Sequence, residues 1–420
     1  REGVKYIMTD YKRRIGTAIA TVAILANATL PAAFAGTTIT ISGNSADSDN
    51  DVQVNNTQNT NVTQNNTANF TNNIDGDANT GDNDANKNNG GNVNVTTGDA
   101  SVNATVVNQA NTNYASVDCC NQGNTTVKIG NNSADSNNTV NLDVDNNVDI
   151  DQDNDADFNN NLKYLDAKTG NNDANENNGG DVNVTTGNAS VIVAVSNWAN
   201  ANSARVGGSG DQSSLSLQIL NNSADSDNDI IVDVNASTDV DQDNDADFYN
   251  KVDGDSNTGD NDANKNNGGE VSIETGNATV DVTVDNMANF NWADLNCGCL
   301  FGAGGLTVDV LGNSDSSDNN VNGDFDSNQD ADQDNDADFD TNVKNSDAET
   351  GNNDANENNN GGNGDPSVTT GEADVNVDVS NSANVNGIGG DEPEWPGVNL
   401  GGVNISFSFD LGDLLDALGL

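Results

Sequence analysis

The chain has 420 residues, with 67 acidic and 13 basic side chains, no His and a formal net charge of -54. Asn (83) and Asp (58) make up a third of it, and only 33% is apolar. That balance excludes nucleic-acid binding through phosphates, imidazole chemistry and ordinary domains built around a large apolar core.

From Met8 the chain reads as a secretory signal: a basic stretch (Lys12, Arg13, Arg14), an apolar run from Ile15 to Leu30, and the small-x-small site Ala33-Phe34-Ala35. This arrangement predicts export, with residues 1–35 removed and the mature chain starting at Gly36. The apolar run is short for a membrane span, and no other segment offers one.

Residues 36–390 are repetitive. TGDNDANKNNGG from Thr80, TGNNDANENNGG from Thr169, TGDNDANKNNGG from Thr258 and TGNNDANENNNGG from Thr350 set a period of about 90 residues. The implied repeats run approximately over 41–128, 129–218, 219–309 and 310–390. Lys87 and Lys265 alternate with Glu176 and Glu357, and Cys occurs only in repeats one and three, so the implied ancestor is a pair of 90-residue units that then doubled. Within each unit Asn-x-Ala recurs about every 22 residues, as at Asn44, Asn66 and Asn83, then Asn132, Asn154 and Asn172, then Asn222, Asn244 and Asn261. Between these motifs lie alternating stretches rich in β-branched residues, such as Val191–Val195, punctuated by Gly-Asn and Thr-Gly turns. Period-two alternation predicts strands. Twenty-two residues suit two short strands and two turns. The expectation is therefore an all-β protein, a β-solenoid of about sixteen short coils stacked at about 4.8 Å into a rod of about 75 Å. Stacked coils would align Asn side chains into hydrogen-bonded ladders, and Phe70, Phe158, Phe248 and Phe339 into a core column.

Three rows carry Asp at every second residue: Asp149, Asp151, Asp153, Asp155 and Asp157; Asp239, Asp241, Asp243, Asp245 and Asp247; Asp330, Asp332, Asp334, Asp336 and Asp338. Repeat one has Asn61, Thr63, Asn65, Thr67 and Asn69 instead. On a strand, alternate residues share a face. Stacked carboxylates repel, and calcium is the cation suited to relieve them. The competing reading is a solvated face that keeps a fibre soluble. IDGDANTGDND from Ile74 is not an EF-hand loop, because its Gly is displaced and position twelve is Asn86.

Export makes Cys119, Cys120, Cys297 and Cys299 disulfide candidates, and their spacings are not those of a zinc site. If equivalent coils approach, Lys87 and Lys265 would pair with Glu176 and Glu357 as register marks. Residues 391–420 change character: VNISFSFDL alternates like a strand and LGDLLDALGL like a short amphipathic helix, which would form a cap or a docking tail.

Val62-Thr63-Gln64-Asn65-Asn66-Thr67-Ala68 with Asn72, and Gly43-Asn44-Ser45-Ala46 with Asn50, resemble the curlin repeat of bacterial functional amyloids. The Gln64–Asn66 spacing is shorter than in that repeat, and Asp is more abundant here. The resemblance is one of design over most of residues 40–390, and it implies a secreted β-solenoid that stacks into extracellular fibres. The expected function is thus a structural protein forming an extracellular fibre or surface layer. Its partners would be further copies of itself and a cell surface or matrix, with no nucleic acid and no membrane span in the mature chain. A monomeric calcium-dependent adhesin or stalk is the alternative, and an ice-binding solenoid a third, weakened by the missing Thr-x-Thr ladder. Without His, a nucleophile motif or a pocket-forming domain, an enzyme is not expected.

Overall fold

Alternation of apolar and polar residues runs through long stretches of this sequence, and those stretches form strands. The computed structural model describes residues 14–21, 25–31, 38–118, 124–207, 214–296, 305–359, 365–389, 398–400 and 403–405. The first repeat contributes β3 (Thr38–Ser42), β4 (Asp49–Asn79), β5 (Val93–Thr96) and β6 (Ala100–Asp118), preceded by β1 (Arg14–Thr21) and β2 (Leu25–Pro31). The second contributes β7 (Thr125–Gly130), β8 (Asn137–Lys168), β9 (Val182–Thr185) and β10 (Ala189–Gly207). The third contributes β11 (Leu215–Leu220), β12 (Asp227–Asn257), β13 (Val271–Glu274) and β14 (Ala278–Asn296). The fourth contributes β15 (Leu306–Leu311), β16 (Asp318–Val343), β17 (Asp347–Glu349), β18 (Ser367–Thr369) and β19 (Ala373–Ile388), followed by a small antiparallel pair, β20 (Val398–Leu400) and β21 (Val403–Ile405). Among the described residues there is no helix.

Every repeat contributes to each of four parallel sheets, ordered β15-β11-β7-β3, β16-β12-β8-β4, β18-β13-β9-β5 and β19-β14-β10-β6, the fourth repeat pairing both β16 and β17 along β12. The fold is thus an all-β, solenoid-like stack in which one repeat makes one coil. This corrects the expectation of about sixteen coils and a 75 Å rod. The 22-residue motif is not the stacking period, because residues pair with partners a whole repeat away: Asn66 lies beside Asn154, and Asn154 beside Asn244. The four Asn-x-Ala motifs of a repeat instead mark four places around one wide coil. The stack is short, about 14 Å from first to fourth coil at 4.8 Å per step, whereas a 31-residue strand such as β4 reaches up to about 100 Å.

The wide coil has a physical cause. Long alternation with few breakers lets β4 and its counterparts run on until each ends at the Thr-Gly motif. There Thr80 Oγ1 donates to Gly98 O at 2.8 Å, tying the end of β4 to the turn before β6. The same bond recurs from Thr169 to Gly187 at 2.9 Å and from Thr258 to Gly276 at 2.9 Å. Gly follows Thr because successive coils touch here: a Cβ on Gly170 would stand 1.8 Å from the carbonyl oxygen of Gly259.

β6 folds back over β4, so the coil is two layers thick. Ile74, Ala78, Val102, Ala104, Val106 and their equivalents fill one apolar cluster between the layers. Ile39 and Ile41 of β3 pack with Val127, Ile129, Val140 and Leu142 in a second. Val93 and Val95 share a third cluster with Ala174 and Ala263. The core is thus a set of narrow strips, not one broad centre, which a chain poor in large apolar residues can supply.

The four Cys, the sequence around LGDLLDALGL and the proposed cleavage site at Ala33–Ala35 lie outside the described residues. β1 and β2, which lie within residues 1–35 read as a signal, pair in parallel with β6.

Candidate functional site

The most distinctive chemistry lies in the columns that stacking creates. Asn66, Asn154 and Asn244 are buried, and each donates to the next coil's side-chain oxygen: Asn66 to Asn154 at 3.1 Å, Asn154 to Asn244 at 3.0 Å and Asn244 to Asn335 at 2.9 Å. Each also donates across the coil to an Asn of the other layer, Asn66 to Asn113, Asn154 to Asn202 and Asn244 to Asn291, all at 2.6 Å. The two layers are therefore stitched by a zigzag of amides. A second zigzag joins Asn72, Asn160 and Asn250 to Asn108, Asn197 and Asn286, with Asn72 to Asn108 at 2.9 Å and Asn108 to Asn160 at 3.0 Å. A column amide has two donor hydrogens and an oxygen with two lone pairs, so a column with a cross-partner satisfies them inside a dry core.

The other anticipated Asn positions also form columns. Asn44 donates to Asn132 at 3.0 Å and Asn132 to Asn222 at 3.1 Å. Asn83 donates to Asn172 at 2.8 Å and Asn172 to Asn261 at 2.7 Å. Phe158 and Phe248 are fully buried and stacked, with ring centroids 4.9 Å apart for Phe70–Phe158, 4.6 Å for Phe158–Phe248 and 5.3 Å for Phe248–Phe339.

Sequence reasoning missed two sets. Gln64, Gln152, Gln242 and Gln333 form a ladder of their own, each step 2.7 Å. The cross-layer partners Asn113, Asn202 and Asn291 follow an Asn two residues earlier, Asn111, Asn200 and Asn289, that holds a left-handed φ of 58 to 62°. Such a φ suits Asn better than most residues. The repeated Asn-x-Asn after Ala110, Ala199 and Ala288 was the available signal.

The acidic rows face outward. Asp149 to Asp157 alternate with the buried Ile150, Gln152, Asn154, Ala156 and Phe158. Registers place Asp239 beside Asp149 and Asp330, and the same holds along the rows to Asp247, Asp157 and Asp338. Below them, Asn61, Thr63, Asn65, Thr67 and Asn69 stand beside Asp149 to Asp157. Asp243 stays exposed but is partly desolvated between neighbouring coils, which raises its carboxyl pKa above its ordinary value, and the carboxylates of Asp153, Asp334, Asp241 and Asp245 add to the rise. Asp153, Asp241, Asp245 and Asp247 are raised in the same way, desolvation first and neighbouring carboxylates second. Among the described residues, no group of three or more acidic or Cys side chains is placed to hold a metal ion.

Lys87, Glu176, Lys265 and Glu357 occupy equivalent positions in the four coils, each in a left-handed turn with φ between 54 and 60°. Lys87 Nζ lies 3.8 Å from Glu176 Oε2. A polar groove along this column is lined by Asn175, Glu176, Asn264, Lys265 and Glu357.

Both ends of the stack are sheet edges. At the far end β16 and β19, 26 and 16 residues long, are the outermost strands of their sheets. Val375, Val377 and Val379 of β19 are 45, 44 and 41% exposed, whereas Val102, Ala104 and Val106 of β6, beneath β1, are 2, 2 and 0% exposed. Among the described residues no helix is long and apolar enough to cross a membrane.

Fold and columns together define a repeat protein of the β-solenoid kind, with amide ladders inside and an acidic face outside. No family model, curated protein or solved structure matches the chain.

Proposed function

We propose that this is a secreted structural protein that self-assembles into an extracellular fibre or surface layer by stacking β-strands. The observation that carries the reading is the shape of the unit: a slab four coils deep whose last coil presents long edge strands and a row of exposed valines. Long flat edges with exposed apolar side chains are templates for further pairing. The acidic face then keeps growing fibres apart. Where calcium takes part, it acts as a counter-ion shared between Asp columns and not as an ion held in a shaped loop, and a cell surface or matrix is the fibre's second partner.

Negative-stain electron microscopy of the chain cut after Ala35, with calcium and with a chelator, tests this. Regular filaments in both conditions support the reading and make calcium incidental. Filaments only with calcium make the Asp columns assembly sites. Isolated slabs in both sink it and leave a monomeric stalk or adhesin.

A further inference from the structure

The two ends of the slab are the two halves of the interface that already joins one repeat to the next. Resting on the fibre reading above, we propose that copies join head to tail, the fourth repeat of one on the first repeat of the next, in the register used within the chain. We include in this proposal that β1 (Arg14–Thr21) and β2 (Leu25–Pro31) cover the receiving end until they are removed.

Charge distribution points to this pairing over the alternatives. β16 carries nine Asp residues, whereas β4, at the other end of the same sheet, carries four. In the internal register, Asp330, Asp332, Asp334, Asp336 and Asp338 would land on Asn61, Thr63, Asn65, Thr67 and Asn69 of the next copy. Amides and hydroxyls would face carboxylates, as they do inside the chain where Asn69 Nδ2 donates to Asp157 at 3.5 Å and Thr57 Oγ1 donates to Asp145 at 3.5 Å. Joining two fourth repeats would instead bring Asp rows together. The uncharged row of the first repeat, Asn61 to Asn69, therefore acts as a spacer, interrupting each of these five Asp columns once per copy.

The Lys/Glu column sets the phase. Lys87, Glu176, Lys265 and Glu357 alternate in sign, so an even number of repeats places Lys87 of the next copy beside Glu357. Joining two fourth repeats, or two first repeats, would instead set like charges side by side, Glu357 on Glu357 or Lys87 on Lys87. In-phase joining also continues the interior: Gln333 on Gln64, Asn335 on Asn66, Phe339 on Phe70, and Val375, Val377 and Val379 on Val102, Ala104 and Val106 of the next copy.

The receiving edge is already occupied in the full chain. β1 pairs Arg14–Thr21 with Ser101–Asn108, and β2 pairs Leu25–Pro31 with Thr112–Asp118. These are the β6 positions that β19 of another copy would need. A leader that lies on the edge keeps the chain from polymerising before export.

The test is zero-length carbodiimide cross-linking of filaments grown from an equal mixture of light and nitrogen-15 chains, full-length protein being cut after Ala35 before growth. Lys87 and Glu357 of one copy lie three coil steps, about 14 Å, apart, with Glu176 and Lys265 between them. A Lys87–Glu357 peptide pair carrying one light and one heavy half is the expected product, and uncut protein should yield neither filaments nor that pair. Filaments whose mixed-isotope links join Lys87 to other carboxylates, or lack Lys87–Glu357, overturn the register. Uncut protein that elongates as fast as cut protein overturns the covering role of β1 and β2. If cut protein forms no filaments at all, the fibre reading itself fails.

Discussion

Replacing Asn154 with Ala probes what holds the two layers together. The Asn154 amide donates to Asn202 at 2.6 Å and Asn244 at 3.0 Å and accepts from Asn66 at 3.1 Å and Asn113 at 3.0 Å, with no solvent exposure. Four side-chain hydrogen bonds at a net value of about 0.5–1.5 kcal/mol each give a loss of ~2–6 kcal/mol. The neighbouring amides keep their other partners, so the cost should not rise to four full desolvation penalties. Asn66, in the first coil, donates to Asn113 and Asn154 only, and Asn66→Ala should cost about half as much. The exposed ladder residue Asn59, which accepts from Asn147 at 3.0 Å, is the control, and Asn59→Ala should change stability by less than about 0.5 kcal/mol. Guanidinium unfolding followed by circular dichroism and by the fluorescence of the buried Trp198 and Trp292 measures the differences. An Asn154→Ala loss no larger than that of Asn59→Ala would refute the reasoning and assign stability to backbone pairing and apolar strips alone. Asn154→Asp should cost more than Ala at neutral pH, because it buries a carboxylate among amide oxygens.

Phe158→Ala removes a fully buried ring stacked on both sides, and should lower unfolding stability by about 3–5 kcal/mol in the same assay. Gly170→Ala drives a methyl group into the carbonyl of Gly259 and should cost about 1–3 kcal/mol or more, whereas Gly43→Ala meets no neighbouring atom and should show only the milder strain of its left-handed φ. The Asp columns make a pH prediction. A carboxyl whose folded-state pKa is raised binds more protons folded than unfolded, so stability is greatest below its ordinary value of 3.8 and falls as pH rises from there through the raised value. The thermal midpoint should therefore be higher near about pH 4 than at about pH 7, with added salt narrowing the gap. Asp243→Asn, which installs the side chain that repeat one carries at Asn65, should raise the midpoint at neutral pH and flatten the profile. A midpoint that rises steadily with pH would contradict the reading that desolvation and neighbouring carboxylates raise these pKa values.

Much of the fold was legible because a repeat writes the same local rules four times. The all-β class follows from alternation, the 90-residue repeat from the Thr-Gly-Asn runs, and amide ladders and a buried Phe position from recurrence, but the expected small coil set successive motifs such as Asn44 and Asn66 above one another, whereas the structure stacks Asn44 with Asn132 and Asn66 with Asn154. The paired Lys87 and Glu176 likewise follow from their alternation. The size of the coil did not follow, since a motif every 22 residues fits a small coil as well as four stations on a large one. Only register decides between them, and register is a contact between residues 88 positions apart, such as Asn66 and Asn154. The cross-layer partners were hidden for the same reason: that Asn113 meets Asn66 depends on β6 folding back over β4. Local pattern thus determined which residues turn inward and which columns recur. The tertiary structure alone decided how far the chain runs before it returns, because closing a wide two-layer coil is a non-local balance of long strand pairing, buried amide stitching and the Thr-Gly clasp.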